Sequence, residues 1–113
     1  MASQRYEFRA LKGNFVFQFD APGVEGYVIG RTDEVSALIP DIDLTKAGGC
    51  ARGISRRHAA LVRYHGAMHL LDLHSVNGTY LNGKRLQPEV PHPLNSGDEL
   101  RFGTLDLRII QIS

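Results

Sequence analysis

Apolar and polar residues alternate along much of this chain. Phe15-Val16-Phe17-Gln18-Phe19 puts all of its phenylalanines on one face of an extended segment. Leu105-Asp106-Leu107-Arg108-Ile109 keeps the same period of two and runs on into Ile110 and Ile112. By this criterion strands are predicted over Arg5–Leu11, Asn14–Phe19, Gly26–Ile29, His58–Tyr64, Ala67–Leu73, Glu99–Phe102 and Leu105–Ile112. Helix signals are weak, because 12 glycines and 5 prolines interrupt the windows in which an i, i+3, i+4, i+7 stripe would have to form. Turn chemistry separates the alternating runs: Ala21-Pro22-Gly23, His65-Gly66, Asn77-Gly78, Asn82-Gly83 and Ser96-Gly97-Asp98. Many short strands so punctuated predict an all-β chain, an antiparallel β-sandwich of two sheets. Thr45–Gly53 is aperiodic and carries Gly48, Gly49 and Gly53, so it is the expected long loop.

Length and composition narrow the class. A chain of 113 residues has the size of one domain, and residues 1–113 are expected to form a single unit. An apolar share of 42% is ordinary for a chain with a buried core. There is no run of about 18 apolar residues to span a membrane, and the first residues lack the apolar stretch of a secretory signal. Cys50 is the only cysteine, which excludes an internal disulfide and a zinc site of several thiolates. These features predict an intracellular, cytoplasmic location and no membrane partner. A net charge of +1 supplies little general attraction for nucleic acid.

Charge is unevenly spread, and that is the first functional hint. Asp20 to Asp43 holds six acids and one base, Arg31, whereas Leu44 to Leu71 holds five bases and no acid. Within or beside these tracts lie three short motifs. Gly30-Arg31 follows the strand-like Tyr27-Val28-Ile29, where an arginine fork can meet a phosphate or a carboxylate, or simply be solvated. Ser55-Arg56-Arg57-His58-Ala59 sets a hydroxyl beside two guanidiniums, an anion seat if Ser55 donates, a capped turn if it does not. Asn77-Gly78-Thr79-Tyr80-Leu81-Asn82-Gly83 holds two turn-forming pairs too close for both to flank a long strand. Asn82-Gly83 is expected to be the plain turn, leaving Asn77 in a loop with its side chain available for binding.

Order and spacing then carry a resemblance. Gly30-Arg31, Ser55-Arg56-Arg57-His58-Ala59, Asn77-Gly78-Thr79 with Asn82-Gly83, and Gly97-Asp98-Glu99-Leu100 together resemble the forkhead-associated (FHA) domain, over about Tyr27 to Ile110. The resemblance implies a sandwich of about 11 strands in two sheets, with ligand loops at one end. It implies a phosphothreonine-dependent interaction module acting in Ser/Thr kinase signalling. The partner would be a phosphothreonine-containing protein or peptide, with a Ser/Thr kinase among the candidates. Carried over by position, Arg31, Ser55 and Arg56 would hold the phosphate, and Asn77 would hydrogen-bond the peptide backbone. Gly30, His58, Gly78 and Thr79 would be structural at the site. Such binding needs no nucleophile, cofactor or metal, so the chain is expected not to be an enzyme. Two positions depart from the family pattern. Val76 stands where many relatives carry Ser or Thr, and Gly53 where some carry an arginine that selects a flanking residue.

Rival readings use other residues. Ser55, His58 and Asp72 have the types of a hydrolytic triad, but Ser and His three apart entering a strand make a poor frame. His58, His65, His69 and His74 have the type of metal ligands, with solvated turn histidines as the plainer reading. Arg52, Arg56, Arg57, Arg63, Lys84 and Arg85 would serve nucleic acid, but lack an aromatic platform. A divergent FHA module that binds an unphosphorylated partner through a sheet face is the remaining alternative.

Overall fold

The computed structural model describes residues 4–113. The strands are β1 (Arg5–Ala10), β2 (Val16–Asp20), β3 (Tyr27–Gly30), β4 (Ile42–Asp43), β5 (Arg57–Tyr64), β6 (Ala67–Asp72), β7 (Thr79–Leu81), β8 (Lys84–Arg85), β9 (His92–Pro93), β10 (Glu99–Phe102) and β11 (Leu105–Gln111). They form a six-stranded sheet in the order β2-β1-β11-β10-β7-β8 and a five-stranded sheet in the order β4-β3-β5-β6-β9. The expected all-β sandwich is therefore what the chain adopts. One pair departs from the antiparallel expectation: β4 lies parallel to β3, Ile29 opposite Ile42. Among the described residues no helix is long and apolar enough to cross a membrane.

Alternation explains the core. Phe8, Leu100, Phe102, Leu107 and Ile109 point inward from one sheet against Ile29, Ala59, Leu61 and Leu70 from the other, all essentially without solvent contact. Phe19 is buried and edges onto Phe8 at 5.0 Å, and Phe15 and Phe17 pack beside it, so the three phenylalanines do share the inner face.

Two irregularities position the loops at one end. In β5 the register against β3 slips by one residue: Ile29 faces Ala59, Gly30 faces Arg57, and His58 is left opposite no residue. The bulge lets His58 and Ala59 both turn into the core. It also presses the start of β5 onto β3, so that a Cβ at Gly30 would lie 1.8 Å from the Arg56 carbonyl oxygen. Only glycine permits that approach. The second irregularity is the predicted loop between β4 and β5, which opens with a 3₁₀ turn at Thr45–Ala47 and coils back through left-handed Gly48 and Gly53.

Candidate functional site

β3 ends, β5 begins, β6 ends and β7 begins at the same end of the sandwich, and the loops between them gather the residues singled out above. Arg31 directly follows β3. Its backbone N–H reaches the Arg56 carbonyl at 3.3 Å, and its Nε donates to the Ile54 carbonyl at 2.6 Å. Nη1 makes a longer contact, 3.4 Å, with the Thr32 carbonyl. The fork is thus fixed from behind by backbone, and Nη2 has no hydrogen bond among the described residues.

Ser55 is held from both sides. Its backbone N–H donates to His58 Nδ1 at 3.0 Å, and its Oγ accepts the Val76 N–H at 3.1 Å. Because that oxygen is used as an acceptor, its own proton remains free to be donated to an anion. His58 completes the brace by donating from Nε2 to the Gly78 carbonyl at 2.8 Å. With Nδ1 accepting, the proton must be on Nε2, so the ring is the neutral tautomer. Burial lowers the His58 pKa from 6.5, partly opposed by the Gly78 carbonyl and the Asp72 charge. A single buried ring therefore ties the Ser55 loop to the Gly78 loop, with its edge against Phe102 at 5.5 Å.

Asn77 lies in the loop between β6 and β7. Its Nδ2 donates to the Gly53 carbonyl at 2.9 Å, which leaves Oδ1 as an acceptor for an incoming N–H. A Cβ at Gly53 would stand 2.5 Å from that Nδ2, so the bare glycine and the asparagine fit as a pair. Thr79 is buried and gives its hydroxyl to Asp72 at 2.7 Å, bracing the start of β7. Asp72 also accepts from the Ser75 hydroxyl.

An open groove of about 410 Å³ crosses this end, walled by Leu38, Ser55, Arg56, Arg57, His74 and Val76. Arg31 is not among its walls and stands next to it through Ile54 and Arg56. Sequence reasoning did not single out Asp33, whose Oδ2 pairs with Arg56 Nη1 at 3.2 Å. The amides of Ser36 and Val35, with Arg56 and Arg31, hold the Asp33 carboxyl below its ordinary range. Its spacing to Ser36, Asp-x-x-Ser, marks an Asx turn but not the arginine it meets.

The geometry separates the rival readings. His58 Nδ1 faces the Ser55 amide and not its hydroxyl, and Asp72 bonds Ser75 and Thr79, so no proton relay links the three. The other histidines part company: His69 bonds the Ala67 carbonyl, His74 pairs with Glu89, and His65 caps a turn at φ +50°. Among the described residues no group of three or more His, Cys, Asp or Glu is placed to hold a metal ion.

Comparison with known proteins points the same way. The family model described as "FHA domain" matches residues 27–103. The oxoglutarate dehydrogenase inhibitor of Corynebacterium diphtheriae is 41% identical over 58 residues, 51% of this chain; the match spans 38% of that relative's length. Among solved structures, one from a study of phosphothreonine-dependent FHA domain interactions superposes with a TM-score of 0.69 at 23% identity, covering 96% of this chain and 98% of that one. Mycobacterium tuberculosis EmbR, solved with a low-affinity phosphopeptide, gives 0.68 at 23% identity, covering 96% of this chain and 24% of its own.

Proposed function

The chain belongs to the FHA domain family, and on that premise we propose that residues 1–113 are one phosphothreonine-dependent protein–protein interaction module. The observation that carries this reading is the arrangement around Ser55: a hydroxyl with a free proton, held by His58 and Val76, beside the forks of Arg31 and Arg56. Phosphothreonine brings about −1.5 to −2 charges and three acceptor oxygens, which match two guanidiniums and one hydroxyl. Arg31, anchored on the Ile54 carbonyl, supplies one charge beside the Ser55 loop. Ser55 donates to the phosphate, and Arg56 adds a second cation as it exchanges Asp33 for the ligand. Asn77 Oδ1 accepts a backbone N–H of the peptide. Gly30, His58, Gly78 and Thr79 hold the loops and touch no ligand. Val76, 82% exposed, offers an apolar wall for the threonine methyl. One methyl is worth about 0.8 kcal/mol, so phosphothreonine should bind about fourfold better than phosphoserine.

The setting follows from the ligand. A module of this kind acts downstream of a Ser/Thr kinase in the cytoplasm, and its partner is the phosphorylated protein or the kinase itself. Its role is binding: the Ser55, His58 and Asp72 relay is not assembled, because the His58 nitrogens are both committed to backbone. Calorimetric titration with phosphothreonine, phosphoserine and unphosphorylated versions of one peptide tests the reading. Arg31→Ala should abolish phosphopeptide binding in a protein that still melts cooperatively. Unchanged affinity in that folded variant removes Arg31 from the site.

A further inference from the structure

The charges around the groove are not equally committed. Arg31 is tied to the carbonyls of Ile54 and Thr32, Arg56 to Asp33, and His74 to Glu89 at 2.8 Å. Asp33 and Glu89 are occupied by the same contacts, Asp33 also by the Ser36 and Val35 amides. Arg57 differs. It is exposed, walls the groove, and has neither ion pair nor side-chain hydrogen bond among the described residues. Its place is fixed by the bulge in β5, which sets it opposite Gly30 at the first position of the strand.

Two apolar side chains stand exposed at the same groove, Leu38 (41%) and Val76 (82%). The volume, about 410 Å³, falls within the roughly 300–1,000 Å³ of ligand-binding clefts. On the opposite side of Val76, towards Asn77, Gly53 presents no side chain, and the Arg52 side chain is laid along Gly48. Gly53 therefore offers no side chain of its own to a flanking residue, whereas Arg57 does.

We propose that the groove running from Ser55 past Arg57 is a second subsite for the bound peptide, in which Arg57 takes an anionic side chain flanking the phosphothreonine while Leu38, beyond the Val76 wall, receives an aliphatic one. This rests on the reading of the Ser55 end as a phosphothreonine seat. The anion is a carboxylate or a second phosphate, since a guanidinium fork serves both.

The test is a phosphothreonine peptide library in which each flanking position is set in turn to Glu, phosphoserine, Lys or Leu, read against the wild-type protein, Arg57→Gln and Arg57→Glu. Thermal melts confirm that all three are folded. The wild type should prefer an anion over Lys at one flanking position by roughly fivefold, the upper range for an exposed ion pair. Arg57→Gln should erase that preference and Arg57→Glu should turn it towards Lys. Phosphoserine ranking above Glu assigns a second phosphate, and the reverse assigns a carboxylate; both support the subsite. Unchanged positional preferences in Arg57→Glu overturn it while leaving the phosphothreonine seat standing. A folded wild type that binds no phosphothreonine pool overturns the seat and the subsite together.

Discussion

The chain uses Asn-Gly twice, at the two ends of β7, and the two copies behave differently. At Asn82-Gly83 the dipeptide follows its propensity, with φ of +49° and +85° closing the hairpin from β7 to β8. Its amide is satisfied within the same sheet, at the start of β10, Nδ2 on Asp98 and Oδ1 under the Glu99 N–H, and a Cβ at Gly83 would meet open space. At Asn77-Gly78 the same residues are tied across to the other sheet, to the loop before β5 and to β5 itself. Asn77 bonds Gly53, the Gly78 carbonyl takes the His58 proton, and a Cβ at Gly78 would stand 2.8 Å from Arg85 Nε. Local sequence thus makes both turns, and what sets them apart is that Asn82 bonds within its own sheet whereas Asn77 and Gly78 bond across to the loop and strand of the other.

The largest test of that difference is His58. Truncation to Ala opens a cavity beside Phe102 and leaves the Ser55 N–H and the Gly78 carbonyl without their partner. The expected cost is about 3–5 kcal/mol. Asn82→Ala, losing two exposed hydrogen bonds and setting alanine at φ +49°, should cost about 1–2 kcal/mol. Denaturant titration of both variants measures the gap. Equal losses would mean that the Gly78 turn is no more anchored than the other.

Binding should divide the two asparagines in the same sense. Asn77→Ala removes one hydrogen bond to the peptide backbone, worth about 0.5–1.5 kcal/mol, so phosphopeptide affinity should fall about threefold to tenfold. Affinity for inorganic phosphate should stay where it was, and Asn82→Ala should change neither. Calorimetry with both ligands reads this directly. Equal losses of phosphopeptide and phosphate in Asn77→Ala would show that it does not touch the peptide backbone.

The same contrast explains what could be read from the residues in advance. Strands with clean alternation, such as Val16–Asp20 and Leu105–Gln111, were legible to within two residues, because one buried face imposes a period of two. The two-residue strands β4, β8 and β9 were not, since so short a segment has no period and is defined by its neighbour's backbone. At the site, motif order marked Arg31, Ser55, Arg56 and Asn77. It did not reveal that Asp33 holds Arg56, because one acid in an acidic tract looks like the next. Nor could spacing tell that His58 meets the Ser55 amide rather than its hydroxyl, which only the bulge in β5 decides.

Acid should separate the two turns by a smaller amount. Burial, the largest influence on His58, lowers its folded-state pKa from 6.5, and the Gly78 carbonyl and Asp72 only partly oppose it. As pH falls, the unfolded chain therefore takes up the proton before the folded one does. The stabilisation is complete above about 6.5 and is lost as pH falls through the folded value. Glu7 and Asp33 are also depressed, from 4.5 and 3.8, so their contributions are lost only at lower pH. His58→Ala lacks this loss, while the remaining histidines are common to both proteins and cancel. The stability difference between wild type and His58→Ala should accordingly narrow from about pH 7 to about pH 5. The difference between wild type and Asn82→Ala should stay level, because no histidine contacts that turn among the described residues. A His58 difference as flat as the Asn82 one would mean that the ring titrates alike in the folded and unfolded chains. The neutral brace between Ser55 and Gly78 would then be no special feature of the Asn77 end.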